Sequence, residues 1–225
     1  MEVVSVEAGR VTQIFVSDEV RSERDMYLPQ LIDLVRQRYG FAFVPNAQDV
    51  KTGGARFQNG RLQCESGDIT IENLDIYNDG IVAACRHTEL AEAVLNDVIP
   101  WAMEAFGLRP PKTIIPRTYA SFVIVDFKAP VSALISQFAT LKALLAGAYE
   151  STYRKRYEFE LSKTSFSVDP QTVPQHTNTE FLFDRRATAS YDLNRYFCVA
   201  PLKTQDHLDL LAKVEGVFVS SGRAT

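Results

Sequence analysis

The apolar residues of this chain change period repeatedly, and each change marks the edge of an element. Val11 to Val16 is a short β-branched and aromatic run that predicts a strand, closed by the polar segment Ser17 to Arg24. Leu28, Leu31, Ile32, Leu34, Val35 and Tyr39 then recur at helical spacing, and Gly40 follows where a helix needs a left-handed stop. Ser22 or Asp25 is the expected cap, and Pro29 falls in the first turn. Phe41 to Val44 is extended, and Asn46 to Ala55 has no apolar period, as expected of a surface loop.

The next stretch alternates. Asn59-Gly60 between Phe57 and Leu62 predicts a type I′ hairpin turn, and Asn78-Asp79-Gly80 predicts a second turn between Ile69–Tyr77 and Ile81–Cys85, giving an antiparallel meander. A helix follows, with Thr88 as its cap, Leu90, Val94, Leu95, Val98 and Trp101 on its apolar face, a kink or restart at Pro100 and an end at Gly107. The proline-rich segment 110–117 divides the chain into an N-terminal half, 1–109, and a C-terminal half, 118–225, within one compact unit.

Tyr119 to Phe127 is nearly continuous in apolar residues, as expected of a central strand. Val131, Leu134, Ile135, Phe138, Leu141, Leu144, Leu145 and Ala148 form a helix whose apolar stripe is wide enough to pack on two sides, within the fold or against a partner. Tyr157, Phe159 and Leu161 alternate as a strand, with a break near Lys163. Asp169 to Asn178 is a loop, Phe181–Phe183 and Tyr191–Val199 give two more strands, and Thr204 caps a last helix closed by Gly216.

This order predicts an α+β fold: antiparallel meander sheet with about four helices on one face, a long helix gripped by a curved sheet. The two halves share a layout, which leaves a pseudo-twofold repeat open, although no residue-level repeat is evident. Strict strand–helix alternation and a Gly-rich turn are both missing, so a parallel dinucleotide-binding fold is disfavoured.

Composition narrows the function classes more than it selects one. The chain has 46% hydrophobic and 23% charged residues, within the globular range. Its net charge of -4 gives no overall attraction to phosphate or anionic lipid, so nucleic acid is a disfavoured partner, and with no run of eighteen apolar residues no membrane partner is expected. The charge is uneven, with 11 basic and 17 acidic residues before Thr113 and 13 and 11 from there on. Cys64, Cys85 and Cys198 are odd in number and sit in apolar runs, which predicts reduced thiols and a cytoplasmic protein.

No phosphate-binding glycine loop, CxxC, HxxxH or HExxH is present, so neither a metal nor a cofactor is expected. Cys85-Arg86-His87 places a thiol and an imidazole on one strand face, a nucleophile–base spacing that a core cysteine beside a helix entrance explains equally well. Asp206-His207-x-Asp209 reads as first-turn electrostatics, and His176 sits in a polar loop.

Three function classes follow. The first is a non-catalytic interaction or assembly subunit, binding itself or another protein through the long helix around Phe138 and Leu144. The second is a small-ligand binder or enzyme with Asp126, Arg117, His87 and Tyr119 lining a pocket between long helix and sheet. The third is nucleic-acid binding by Arg154, Lys155, Arg156, Arg185 and Arg186 among tyrosines. The missing catalytic constellation tilts the sequence away from an enzyme and toward the first class.

Overall fold

A computed structural model describes residues 1–20, 28–46, 54–64, 67–134, 137–172 and 180–221. They form one open antiparallel sheet of eight strands: β1 (Glu2–Ile14), β2 (Ala55–Leu62), β3 (Ile69–Tyr77), β4 (Gly80–Cys85), β5 (Thr118–Asp126), β6 (Lys163–Phe166), β7 (Phe181–Arg185) and β8 (Arg195–Ala200). The helices are α1 (Leu28–Tyr39), α2 (Thr88–Phe106), α3 (Gln137–Tyr153) and α4 (Thr204–Ser221). Among the described residues, no helix is long and apolar enough to cross a membrane.

Across the sheet the strands run β2-β3-β4-β1-β5-β8-β7-β6. Alternation along each strand puts one set of side chains under the helices: Val11, Ala83, Cys85, Val123, Val125, Tyr196 and Cys198 are buried there. α1 and α2 close a core over the first half, and α4 closes a second one over Val123, Val125, Phe183 and Cys198.

The signals at helix ends hold: Gly40 and Gly107 both adopt φ 60 directly after α1 and α2. α2 runs unbroken through Pro100. Both caps expected for α1, Ser22 and Asp25, lie outside the described residues, as does most of the 46–55 loop.

Several boundaries differ from expectation. β1 extends to Glu2, because register shifts between Val3 and Ser5 and between Val6 and Ala8 absorb its irregular pattern. Asn59-Gly60 is not a hairpin turn: β2 continues through it, and only Asn59 has positive φ (55°). That residue reverses the strand's parity, so Phe57 and Gly60 are buried on either side of two consecutive exposed positions, Gln58 and Asn59. Gly60 is needed for another reason: a Cβ there would lie 2.4 Å from the Phe41 ring.

The Tyr157–Leu161 alternation is not in the sheet, since β6 begins only at Lys163 and Tyr157 and Phe159 pack on Tyr149 of α3 instead. Tyr191–Leu193 is a 3₁₀ turn ending at Asn194 with φ 46, and α4 continues past Gly216 to Ser221.

The strand order is the same read outward from its centre: β1, β4, β3, β2 on one side and β5, β8, β7, β6 on the other. Each half is strand, helix, three-strand meander, helix. β1 and β5 run antiparallel with Gly9 opposite Ser121, so a pseudo-twofold axis passes through the sheet between them. The N-termini of α2 and α4 meet on that axis. The Thr204 N–H donates to Thr88 Oγ1 at 2.7 Å, and the Thr88 N–H donates to Thr204 Oγ1 at 3.0 Å. Each threonine therefore caps the other half's helix rather than its own. Glu89 adds a carboxylate that accepts from the Gln205 N–H at 3.3 Å, opposing the two positive dipole ends brought together here. Gly9 makes the approach possible, because a Cβ on it would lie 2.1 Å from Thr88 N.

Thr88→Val keeps the volume but leaves the Thr204 N–H buried without an acceptor. The expected loss is about 2 kcal/mol in urea unfolding, and the Thr88→Val/Thr204→Val pair should cost less than the two single changes together. Additive single costs would show that the two helix ends are capped independently. Gly9→Ala, whose methyl meets backbone, should cost about 3 kcal/mol or more.

Candidate functional site

Arg117 and Tyr119, at the start of β5, meet a carboxylate from α2. The Tyr119 hydroxyl donates to Glu92 Oε1 at 2.7 Å, the Lys203 ammonium donates to Glu92 Oε2 at 2.7 Å, and the Arg117 guanidinium donates to Asn96 Oδ1 at 2.7 Å and lies 3.7 Å from Glu92. Lys203 foremost, then the Tyr119 hydroxyl, hold the Glu92 carboxyl below its usual range. His87 immediately precedes α2 in extended conformation, its backbone against Gly9. Asp126 closes the other end of β5, about 25 Å along the strand, in a bidentate pair with Arg195 at 2.7 and 2.8 Å. The four residues line no common pocket: Arg117 and Tyr119 share one satisfied network, and Asp126 has a partner of its own.

Cys85 is fully buried on the helix side of β4, and burial pushes its thiol up to about 12. A thiol so protonated is no nucleophile. Cys198 is buried and shifted upward for the same reason, and all three cysteines are free. His176 lies outside the described residues. No group of three histidine, cysteine, aspartate or glutamate residues suited to a metal ion occurs among the described residues.

The basic residues divide between different surroundings. Arg185 is only 6% exposed, with its guanidinium between the Tyr191 and Tyr196 rings at 4.7 and 4.9 Å, donating to the Tyr191 carbonyl, Asn194 Oδ1 and the Tyr196 hydroxyl. It braces the β7–β8 connection. Arg186 lies over Phe197, which stacks on Phe122 while Arg10 covers that ring in turn, all on the sheet face away from the helices. Arg154, with φ 56, ends α3, Lys155 lies over Tyr157, and Arg156 sits 3.8 Å from Glu150.

The largest departure from ordinary burial is α3. Leu141, Leu144, Leu145, Tyr149 and Tyr153 are all exposed, Leu144 by 67%, while Phe138 is half-buried and Ala146 is buried. The helix is held by its own return segment: Glu160 accepts from both Lys142 and Ser132, and Tyr149 packs on Tyr157 and Phe159. Among the described residues, α1 packs along β2, whereas α3 makes no comparable contact with β6 or another named strand or helix.

An apolar groove of about 260 Å³ opens between α4 and the outer strands. Leu210, Val214 and Val217 form its helical wall, Phe181 and Phe183 of β7 its floor, and Phe166 of β6 and Val131 its ends. Sequence reasoning found the α3 stripe but missed this groove, whose residues come from four separate segments. The stripe and the lining of the groove are both made of apolar side chains.

One buried group carries a pH signature. His207, in the first turn of α4, is enclosed with only the Ser121 hydroxyl facing its Nδ1 at 3.1 Å, and burial pushes its imidazole down to about 4 from 6.5. The folded protein keeps it neutral while the unfolded chain protonates near 6.5, so its contribution is complete above pH 6.5 and falls as the pH drops toward 4. The carboxylates held low, Glu19, Glu92, Glu160 and Glu215, protonate below 4.5 and leave the upper window to His207. Urea unfolding at pH 5 should give roughly 2 kcal/mol less stability than at pH 7, and His207→Gln should flatten that slope; an unchanged slope would assign it to another group.

Comparison of the chain with protein-family models and with curated proteins finds no match.

Proposed function

We propose that this chain is a non-catalytic protein-interaction or assembly subunit of the cytoplasm, acting through α3 and the apolar groove between α4 and the outer strands. The observation that carries the reading is the row of large apolar side chains left in water along α3, in a chain that also holds an open apolar groove. Such a row adds nothing to a folded monomer and invites aggregation unless something covers it. The titratable groups point the same way, since the buried thiols are protonated and the strongest polar cluster, around Glu92, is internally satisfied.

A second reading has one observation in its favour. Two arginines and two stacked phenylalanines, Arg10, Phe122, Phe197 and Arg186, share the open sheet face, an arrangement suited to stacking single-stranded bases. The -4 net charge weighs against it.

Installing a photo-crosslinking amino acid at Leu144, and separately at Ile114, which is 89% exposed and off the patch, tests the first reading in the producing cell. A discrete covalent product is expected from position 144 and none from 114, and Leu141→Asp should remove it. No product from 144 would overturn the reading. Leu144→Asp should shift folding stability by no more than about 0.5 kcal/mol, because the side chain supports no packing in the isolated chain.

A further inference from the structure

The first half of the molecule shows what belongs in the groove of the second. Because Thr88 and Thr204 are equivalent across the axis, counting along the helices makes Leu210, Val214 and Val217 the counterparts of Val94, Val98 and Trp101. In the first half those residues are covered. Val94 and Val98 are fully buried, and Trp101 meets the Tyr39 ring of α1 edge-on at 5.8 Å. In the second half Val217 is exposed and the same wall lines an open groove.

Tyr39 of α1 makes the contact with Trp101, and Leu31, Val35 and Tyr39 are all buried in one core cluster with Val94 and Val98. α3 holds the same chain position in its half and repeats the spacing and chemistry as Leu141, Leu145 and Tyr149, all exposed. An unfilled groove and an unused helix of the matching pattern thus occur in one chain.

We propose that α3 of one chain occupies the groove of a second copy, reciprocally, in a closed twofold dimer. This names the partner for the interaction surface inferred above and rests on that reading. The connections favour exchange over closure within one chain. Thirteen residues join β1 to α1 and fifteen join α1 to β2, but only ten lead from β5 to α3 and nine from α3 to β6. Part of the shorter lead is itself fixed, since the Val131–Leu134 turn is seated with Val131 in the groove wall and the Tyr196 hydroxyl accepting from its N–H at 3.1 Å. Short connections that keep a helix from its own seat are the condition under which copies exchange elements.

The counterpart of the Tyr39–Trp101 contact is Tyr149 of one copy on Val217 of the other. In a Cys64→Ser background, Tyr149→Cys and Val217→Cys chains are prepared separately, mixed, and oxidised. Expected are a native mass of twice the 25.2 kDa chain before oxidation, a covalent dimer from the mixture, and none from either variant alone. A monomer by native mass spectrometry, or no covalent dimer from the oxidised mixture, would overturn the exchange. If the Leu144 photo-product is then a different protein, the interaction reading stands and only the exchange falls; if there is no photo-product, both fall.

Discussion

The fold depends on two helix N-termini meeting across the central strand pair. Backbone donors at a helix start must find acceptors, and like dipole ends repel. Both demands are met here by a pair of threonines, each accepting the other's N–H, with Glu89 supplying negative charge. The arrangement works only if the α2 start sits directly on β1, which is why position 9 has no side chain. One contact therefore fixes the relation between the halves, and the eight strands become a continuous sheet rather than two small ones.

Given that fixed relation, the differences between the halves become informative. In the first, α1 closes the core and its three seat residues lie in it; in the second, the equivalent residues of α3 remain in water, at a cost of about 2 kcal/mol each in transfer free energy left unrealised. A sheet half lacking one of its two covering helices is a half-finished core, and α4 with the Val131 turn covers only part of it. The asymmetry is also chemical: Ser121 and His207 face one another where the first half has Gly9 and Ala91, so the second half carries a buried imidazole that the first has no room for.

Much of this architecture is legible in the amino-acid order. The helical stripes, the stops at Gly40 and Gly107, the meander and the wide apolar face of α3 follow from local period and turn chemistry, which neighbours in space do not alter. What escapes depends on residues far apart. Thr88 and Thr204 each read as a cap, correctly in kind, but nothing local says that they cap one another. Asn59-Gly60 reads as a turn because the pair favours positive φ, whereas its use is set by the Phe41 ring beneath Gly60 and by a strand that must change face. Tyr157 to Leu161 alternates like a strand but answers to Tyr149 on α3.

The match between Leu31, Val35, Tyr39 and Leu141, Leu145, Tyr149 lies in the sequence too, yet three positions in two otherwise different helices do not make a detectable repeat. It gains meaning only after the Thr88–Thr204 axis supplies the superposition. The same axis separates conserved roles from altered ones within a single chain: Leu95 and Leu211 are equivalent and both buried, so the helices are seated alike, while Trp101 and Val217 are equivalent and differ in exposure. The seating of the helix is therefore the same in both halves, and the halves differ in what covers the outer end of that helix.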